Sequence, residues 1–264
     1  MVSIGQCRAG IPGIRPGTDA MSVFKHFILT RFNVPWMTIN DDAPGSVWLR
    51  HRFDLFDRFC YPSLKGQTNQ NFTWLVFFDA GTPRVYWKYI DDYAKWEKFN
   101  AVFIEGYSLT RVKKEIDKHL GDSNFVITTR IDNDDAICRR FVETVQHNFN
   151  EQTFELINFP NGFVWHEGRT YRSRQMSNPF MSLIESAQMY ETVWCRSHLE
   201  LRELAEIKQI ESPPAWLQVI HEMNVCNEVQ GVLQPRLNLS STFAIHKAST
   251  RRPMGSKPKR ASKT

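Results

Sequence analysis

Four polar residues in a row, Asp132-Asn133-Asp134-Asp135, are the stretch of this sequence best suited to chemistry. Three carboxylates so close together repel one another unless a cation joins them, and hard oxygen ligands suit Mg²⁺ or Mn²⁺. Asp and Asn are also common at helix N-termini, where they cap backbone N–H groups and complement the helix dipole. Three acids and an Asn exceed what a cap requires. The stretch therefore predicts a metal site, with helix capping as the alternative.

The residues on either side of the acids indicate how they are positioned. Residues 125–130 are short, apolar and β-branched and follow a turn-like segment at 121–124, which predicts a buried strand. After the acids, apolar residues have helical spacing at Ile137, Phe141, Val142 and Val145. A strand that delivers acids in front of a helix places them at the carboxyl edge of a sheet, where open α/β sheets bind ligands.

Apolar runs alternate with helical patterns through the first half of the chain. Strands are predicted at 24–32, 72–78 and 101–104, and helices at 48–59, 84–98 and 110–120. This alternation implies a single α/β domain with a mostly parallel sheet flanked by helices.

The second half is patterned less clearly. Further predictions are strands at 153–159 and 162–165, a pocket-lining strand within 171–184, a helix at 199–210 and a segment at 216–229 that crosses back to the site.

The basic charge of the chain is concentrated at its end. Residues 247–264 hold seven of the 33 Lys and Arg residues and no acid, so the rest holds 26 basic and 28 acidic residues. The pattern predicts a folded domain at 22–246, a disordered basic tail at 247–264 and a flexible, Gly- and Pro-rich leader at 1–21. Met21 is an alternative start to Met1.

The cysteine pattern and the hydropathy of the sequence indicate the cellular compartment of this protein. The five cysteines are scattered and form no C-x-x-C motif, which favours a reducing compartment and argues against a cysteine-based zinc site. No apolar run approaches the roughly 20 residues of a membrane helix, and the N-terminal region lacks the apolar segment of a secretory signal. We expect a cytoplasmic protein whose basic tail is available for peripheral contact with an anionic membrane.

Six short motifs occur in order along the chain: Arg50-x-Arg52-Phe53-x-Leu55-Phe56, Pro62-Ser63-Leu64-x-x-Gln67-Thr68, Phe72-x-Trp74-Leu75-Val76-Phe77-Phe78-Asp79, Thr129-Arg130-Ile131-Asp132-Asn133-Asp134-Asp135-Ala136, Asn178-Pro179-Phe180-x-Ser182-Leu183-Ile184-Glu185 and Trp216-Leu217-Gln218-Val219-Ile220-His221. In this order they resemble the rhamnosyltransferase family, which has the GT-A fold and is related to family 2 glycosyltransferases. The resemblance covers nearly the whole predicted domain.

The resemblance implies a metal-dependent glycosyltransferase. Such an enzyme transfers a sugar, here rhamnose, from a nucleotide-sugar donor such as dTDP-rhamnose to a glycan or lipid-linked saccharide. The first half of the domain, 22–137, would bind the donor and the second half, 138–246, the acceptor. Asp132 and Asp134 match the D-x-D motif, whose Mn²⁺ or Mg²⁺ bridges the two donor phosphates, and Asp135 would be a third acid.

Further donor-binding residues follow from the same resemblance. Asp79 ends a strand where related enzymes have an acid that contacts base or ribose, although an Asx turn before Gly81 is an equal alternative. Arg172 and Arg174 would hold the diphosphate or an acidic acceptor, with surface charge as the alternative. Arg130 would contact the donor together with Asp132 or serve only to neutralise the acids.

A late histidine often completes the metal or phosphate site of GT-A enzymes, which makes His221 a candidate ligand, with a structural role as the alternative. Inverting transfer also needs a base for the acceptor hydroxyl, typically a carboxylate. Glu185 and Glu167 are the candidates, and no spacing rule separates them. The alternative for Glu185 is an exposed acid in the first turn of a helix.

Three other function classes fit the sequence less well. A nucleotidyl- or phosphotransferase would use the same acids, but the sequence has no G-x-x-x-x-G-K phosphate loop. A nucleic-acid-binding protein would use the basic tail, which lacks interleaved aromatic residues, so nucleic acid is not expected as a partner. A non-catalytic carbohydrate-binding protein would explain the eight Trp residues but not the clustered acids.

Overall fold

The computed structural model describes residues 23–35, 46–223 and 228–246. The predicted leader and tail lie outside the described residues. The strands within the described residues are β1 (Phe24–Arg31), β2 (Thr73–Asp79), β3 (Phe99–Ile104), β4 (Phe125–Arg130), β5 (Ala136–Ile137), β6 (Phe154–Asn158), β7 (Asn161–His166), β8 (Arg169–Arg174), β9 (Ser182–Ser186), β10 (Ile207–Gln209), β11 (Trp216–Ile220) and β12 (Val232–Leu233).

These strands form two sheets. The larger sheet has the order β10-β6-β9-β4-β1-β2-β3, in which only β9 runs antiparallel to its neighbours among the described strands. The smaller sheet has the order β12-β8-β7-β11-β5, with β7 and β11 parallel and the other pairs antiparallel. The inner strands β1, β2 and β4 are almost wholly buried, as continuous apolar runs of a parallel sheet require.

Helices cover both faces of the larger sheet. They are α1 (Ser46–Leu55), which continues through a π-helical turn (Phe56–Cys60) into α2 (Tyr61–Lys65), then α3 (Trp87–Ala94), α4 (Leu109–Leu120) and α5 (Phe141–His147). On one face of the larger sheet, aromatic residues such as Phe56, Trp74 and Tyr93 pack together. On the other face, Leu75 and Phe77 pack against Val112 of α4. The predicted single α/β domain, with a mostly parallel sheet flanked by helices, is confirmed.

The two sheets share one hydrophobic core. Trp216 on β11 lies in the same buried cluster as Trp74 on β2, and it stacks on Phe180 with ring centroids 5.3 Å apart. Its indole nitrogen donates a hydrogen bond to the carbonyl of Phe159 over 2.8 Å. The indole also covers Gly162 so closely that a methyl group there would overlap it, which explains a glycine inside β7.

Three predicted elements differ in the structure. The helix at 199–210 is a 3₁₀ turn (Leu201–Glu203) followed by β10, because the edge of β6 offers free backbone groups with which Ile207–Gln209 pairs. The helix after the acids begins only at Phe141, because residues 136 and 137 pair with β11. The stretch 171–184 divides between β8 and β9, which belong to different sheets.

The predicted helix at 84–98 is shorter than expected. A 3₁₀ turn (Arg84–Tyr86) precedes α3, which ends at Ala94 before the chain turns into β3. None of the helices in the described residues has the length and apolar character that crossing a bilayer demands.

Candidate active site

Three parallel strands deliver polar side chains to one edge of the larger sheet. β1 ends at Arg31, β2 at Asp79 and β4 at Arg130. β1 lies between β2 and β4, and the backbone N–H of Ile131 donates to the carbonyl of Leu29 over 3.1 Å. The acidic stretch 132–135 therefore lies at the carboxyl ends of the central strands, as the sequence predicted.

Asp134 has more charged and polar side-chain partners than the other two acids. It is buried, and its Oδ2 atom accepts hydrogen bonds from Arg52 of α1 and, over 2.9 Å, from Nε2 of His221. Burial alone would raise the pKa of Asp134, but the hydrogen bond from His221 and the charge of Arg52 hold this pKa below its ordinary value. Asp134 is therefore an ionised carboxylate that joins α1 to the residue after β11.

His221 has a defined tautomer in this arrangement. Its Nδ1 atom accepts a hydrogen bond from the backbone N–H of Met223 over 3.2 Å, so the proton is on Nε2, which faces Asp134. The Nε2 atom of His51 lies 3.3 Å from the same Nδ1 atom. The imidazole of His221 is thus held between a carboxylate and a second histidine.

Asp135 connects the acidic stretch to the smaller sheet. It is buried, and its Oδ1 atom accepts the backbone N–H of Val219 over 2.8 Å. Burial, and then the negative charges of Asp134 and Asp132, raise the pKa of Asp135 well above its usual range. Its visible role is to fix β11 against the acidic stretch.

The four predicted metal ligands do not converge on one point. Asp134 is engaged by a guanidinium and an imidazole, and Asp135 by a backbone N–H group. Within the described ranges, no group of three or more His, Cys, Asp or Glu side chains is arranged to hold a metal ion. The residues in this arrangement do not fit a cation bound by Asp132, Asp134, Asp135 and His221 together. Dependence on Mn²⁺ or Mg²⁺ stays a prediction.

Asp132 has different surroundings from the other two acids. Its side chain is 46% exposed, and its Oδ1 atom lies 3.4 Å from Nη2 of Arg130. It lines a pocket of about 180 Å³. The residues around this basic pocket are Arg31, Tyr107, Arg130, Asp132, Trp194, Arg196, Ser197 and His198.

The basic pocket is strongly cationic. Three guanidinium groups face a single carboxylate, so the pocket has an excess of positive charge. Burial and the nearby charge of Arg130 lower the pKa of His198 to about 4, which leaves this imidazole neutral at neutral pH. Burial lowers the pKa of Arg31, with Asp132 acting against it. Such a site favours an anion with several oxygen acceptors, for which guanidinium groups are well shaped.

The wall of the basic pocket that contains Trp194 and Arg196 is fixed to the sheet by buried polar contacts. Both oxygens of Glu185 accept backbone N–H groups, from Glu191 over 2.8 Å and from Thr192 over 2.9 Å. The backbone N–H of Val193 donates to Oγ1 of Thr128 over 2.8 Å. This segment leads directly into the pocket residues 194–198.

The placement of Glu185 speaks against its predicted role as a base. Glu185 lies on β9, not in the first turn of a helix, and it is 2% exposed. It pairs with Val126 near the start of β4, at the opposite end of the strand from Arg130. Because its oxygens already serve two backbone groups far from the acids, Glu185 acts here as an anchor.

Glu167 is placed at the site-facing edge of the smaller sheet. It is at the tip of the β7–β8 hairpin, with a left-handed backbone (φ +48°) and a side chain that is 78% exposed. β7 runs parallel to β11, with His166 opposite Ile220, so Glu167 and His221 follow neighbouring strand ends. The fold thus leaves the carboxylate of Glu167 accessible beside the acidic stretch.

Asp79 forms the turn that the sequence offered as an alternative. Its Oδ1 atom accepts the backbone N–H of Gly81 over 2.7 Å. It remains half-buried at the end of β2, one strand away from Arg31. A contact with a nucleoside stays a prediction and would have to use the other carboxylate oxygen.

The arginines of β8 lie outside the basic pocket. Arg174 is exposed and bound to Glu211, and it is opposite Asn161 at the end of the hairpin remote from Glu167. Arg172 is exposed in the middle of the same strand. The surface-charge alternative therefore describes Arg174, and no contact of Arg172 with the pocket is present in the described residues.

Several polar residues of the site have no counterpart among the sequence predictions, and Arg31, Arg52, Arg196 and His198 are the charged or titratable ones closest to the acids and the pocket. Two of these residues could have been found from the sequence. Arg31 is a charged residue at the end of a strand, and Arg52 lies in the first of the six motifs. Arg196 and His198 follow no periodic pattern. They reach the pocket only because the chain returns from β9 along the α4 face of the sheet.

The described residues form an α/β domain with a polar cluster and a cationic pocket at the carboxyl edge of its larger sheet. Residues 44–232 match the family model described as "Putative rhamnosyl transferase". The chain belongs to this family. A comparison with curated proteins finds none that matches this chain.

Solved structures show distant similarity. Residues 1–349 of TarS from S. aureus in complex with UDP are 11% identical, with a TM-score of 0.46, and the match covers 74% of this chain and 60% of that one. HddC from Yersinia pseudotuberculosis is 10% identical, with a TM-score of 0.37, over 72% of this chain and 91% of that one. This chain thus spans less than two thirds of the TarS fragment that it matches.

Proposed function

We propose that this protein is a glycosyltransferase that transfers a sugar from a nucleoside-diphosphate donor to a hydroxyl group of a glycan or lipid-linked saccharide. The observation that carries the proposal is the convergence of Arg31, Arg130 and Arg196 in one pocket at the carboxyl edge of the sheet. The family description supports rhamnose as the sugar. Its proposed carrier is a nucleoside diphosphate such as dTDP.

The composition of the basic pocket supports a nucleoside diphosphate as the ligand. The guanidinium groups would bind the diphosphate, because planar donors match phosphate oxygens in pairs. Tyr107 and Trp194, whose ring centroids are 6.0 Å apart, add flat apolar surface for the nucleoside or sugar. Asp132, beside the arginines, is suited to accept hydrogen bonds from sugar hydroxyl groups.

The proposed reaction is a single displacement with inversion. The bond between the anomeric carbon and the β-phosphate oxygen breaks, and its electron pair stays with the departing nucleoside diphosphate. The acceptor oxygen forms the new bond to the anomeric carbon and loses its proton to a base. Glu167 is the proposed base, because it is an accessible carboxylate beside the site. No step of this proposal needs the predicted Mn²⁺ or Mg²⁺, whose involvement is tested separately.

Donor binding provides the first test. A thermal-shift screen would compare dTDP-, UDP- and GDP-sugars with the wild type and with Arg196→Ala. Ligand at about 100 times Kd stabilises a protein by roughly 2.7 kcal/mol, so a true donor is readily detected. We expect one nucleotide sugar to raise the Tm of the wild type and to have a much smaller effect on the variant.

A matched control and a product assay complete the test. Arg140→Ala removes an exposed arginine that is bound to Glu143 on α5, outside the pocket, and it should respond to donor as the wild type does. The selected donor would then be incubated with candidate acceptors and the anomeric configuration of the product determined by NMR. A chain that binds no nucleotide sugar would contradict the proposal.

A further inference from the structure

The carboxylate that should bind a metal in a D-x-D motif is already paired with a cation from the protein. The side chains of Arg52, Asp134 and His221 are 12%, 6% and 9% exposed, so this cluster is almost closed to solvent. A divalent ion at Oδ2 of Asp134 would have to displace the guanidinium. Leaving Arg52 buried without its counter-charge is strongly unfavourable.

The other acids do not replace Asp134 as ligands. The Oδ1 atom of Asp135 accepts a hydrogen bond from the backbone N–H of Val219, and Asp135 is buried against β11. Asp132 is accessible, but its nearest charged partner is Arg130, at 3.4 Å. One carboxylate beside a cluster of arginines is a weak site for a hard dication, which prefers several oxygen ligands.

The basic pocket has cationic groups where the leaving group would lie. Arg130 and Arg31 end neighbouring strands, and Arg196 faces them from the wall anchored by Glu185. The Nε atom of Arg130 is buried and has no hydrogen-bond partner among the described residues. A buried guanidinium N–H without a partner is costly, and a bound phosphate oxygen would satisfy it.

We propose that Arg31, Arg130 and Arg196 neutralise the charge that develops on the β-phosphate of the departing nucleoside diphosphate, and that transfer therefore proceeds without a divalent metal ion. The inference rests on the proposed function. The reaction is the same single displacement with inversion, and fixed guanidinium groups take the place of a bound cation. Groups that are oriented before the reaction stabilise such developing charge effectively.

The test is isothermal titration of dTDP and UDP into the full chain, in buffer with excess EDTA and in buffer with Mn²⁺ or Mg²⁺. We expect the Kd of the preferred nucleotide to be the same in both buffers within about twofold. Arg130→Ala and Arg196→Ala should each weaken binding about ten- to a hundredfold in EDTA, since each removes charged hydrogen bonds. Arg140→Ala should bind as the wild type does. Arg196 is exposed, so its loss tests the pocket without a folding penalty.

The outcomes separate this inference from the proposed function. Binding that disappears in EDTA and returns with Mn²⁺ or Mg²⁺ would overturn the inference and leave the glycosyltransferase proposal intact. Binding in EDTA that neither arginine variant weakens would overturn the assignment of these arginines. Absence of nucleotide binding in both buffers would refute the proposed function, and the inference with it.

Discussion

Asp132 and Asp134 are separated by one residue, yet their carboxylates have different partners. Asp132 lies beside Arg130 at the rim of the basic pocket, and Asp134 is buried between Arg52 and His221. The acidic stretch 132–135 therefore combines an accessible group suited to a ligand, Asp132, with a buried group that joins α1 to the end of β11, Asp134.

This division predicts unequal effects of two matched substitutions. Asp134→Asn leaves Arg52 buried without a counter-charge and should lower the free energy of unfolding by about 3 kcal/mol or more. Asp132→Asn should change it by less than about 0.5 kcal/mol, because an exposed ion pair contributes little. Urea unfolding of both variants provides the measurement.

A double-mutant cycle checks the cause of the Asp134 effect. If the unpaired charge of Arg52 is responsible, adding Arg52→Met to Asp134→Asn should recover part of the lost stability. Equal stabilities of the two asparagine variants would show that the buried pair is not the source of the difference.

The anchor role of Glu185 gives a second prediction. Glu185→Ala leaves two buried N–H groups without an acceptor and should cost about 3 kcal/mol of stability. Glu185→Gln keeps one acceptor and should be intermediate. Because the anchored segment carries Trp194 and Arg196, the Kd for the donor should rise in parallel, while kcat at saturating donor changes little. A fall in kcat at wild-type stability and affinity would instead restore Glu185 as the base.

Glu167 should behave in the opposite way. Glu167→Gln removes the proposed base but touches neither core nor pocket, so kcat should fall about 10²- to 10⁴-fold while Tm and donor Kd stay unchanged. Glu203→Gln, an exposed acid on the 3₁₀ turn, is the matched control and should keep full activity. Wild-type kcat in Glu167→Gln would exclude Glu167 as the base.

His26 predicts how stability depends on pH. It is buried, its Nδ1 atom accepts from Nε2 of Gln146 and its Nε2 atom lies 2.8 Å from Oγ1 of Thr129, so only neutral groups bond to it. Burial lowers the pKa of His26 from 6.5 to about 3. As the pH falls, His26 therefore becomes protonated in the unfolded chain before it does in the folded protein. The stability that neutral His26 contributes is present above pH 6.5 and is lost as the pH falls toward 3.

The expected size follows from the shift. Between pH 6.5 and about pH 5, His26 should account for a loss of about 1.6 kcal/mol, since the slope rises toward about 1.36 kcal/mol per pH unit as this histidine becomes fully protonated in the unfolded chain. Urea unfolding across this range should show a steeper decline for the wild type than for His26→Gln. Identical slopes would mean that His26 is not buried as a neutral group.

The scaffold of this protein and the position of its acids follow from local sequence patterns. Apolar, β-branched runs ended by polar residues have few alternatives to buried parallel strands, so β1, β2 and β4 and the acidic stretch at their carboxyl edge were predictable. The segment 216–229 was also predicted to cross back to this edge, and its residue His221 lies against Asp134.

The partners of each acid were decided only by the tertiary structure. Local patterns cannot show that Arg52 lies against Asp134, or that residues 136 and 137 pair with β11 instead of starting a helix, because these contacts join segments about 80 residues apart. The basic pocket depends in the same way on the return of the chain after β9. The surroundings of Glu185 were unpredictable for a related reason: a carboxylate in a strand has the same local signature whether it faces a substrate or two backbone N–H groups, and only packing distinguishes the two.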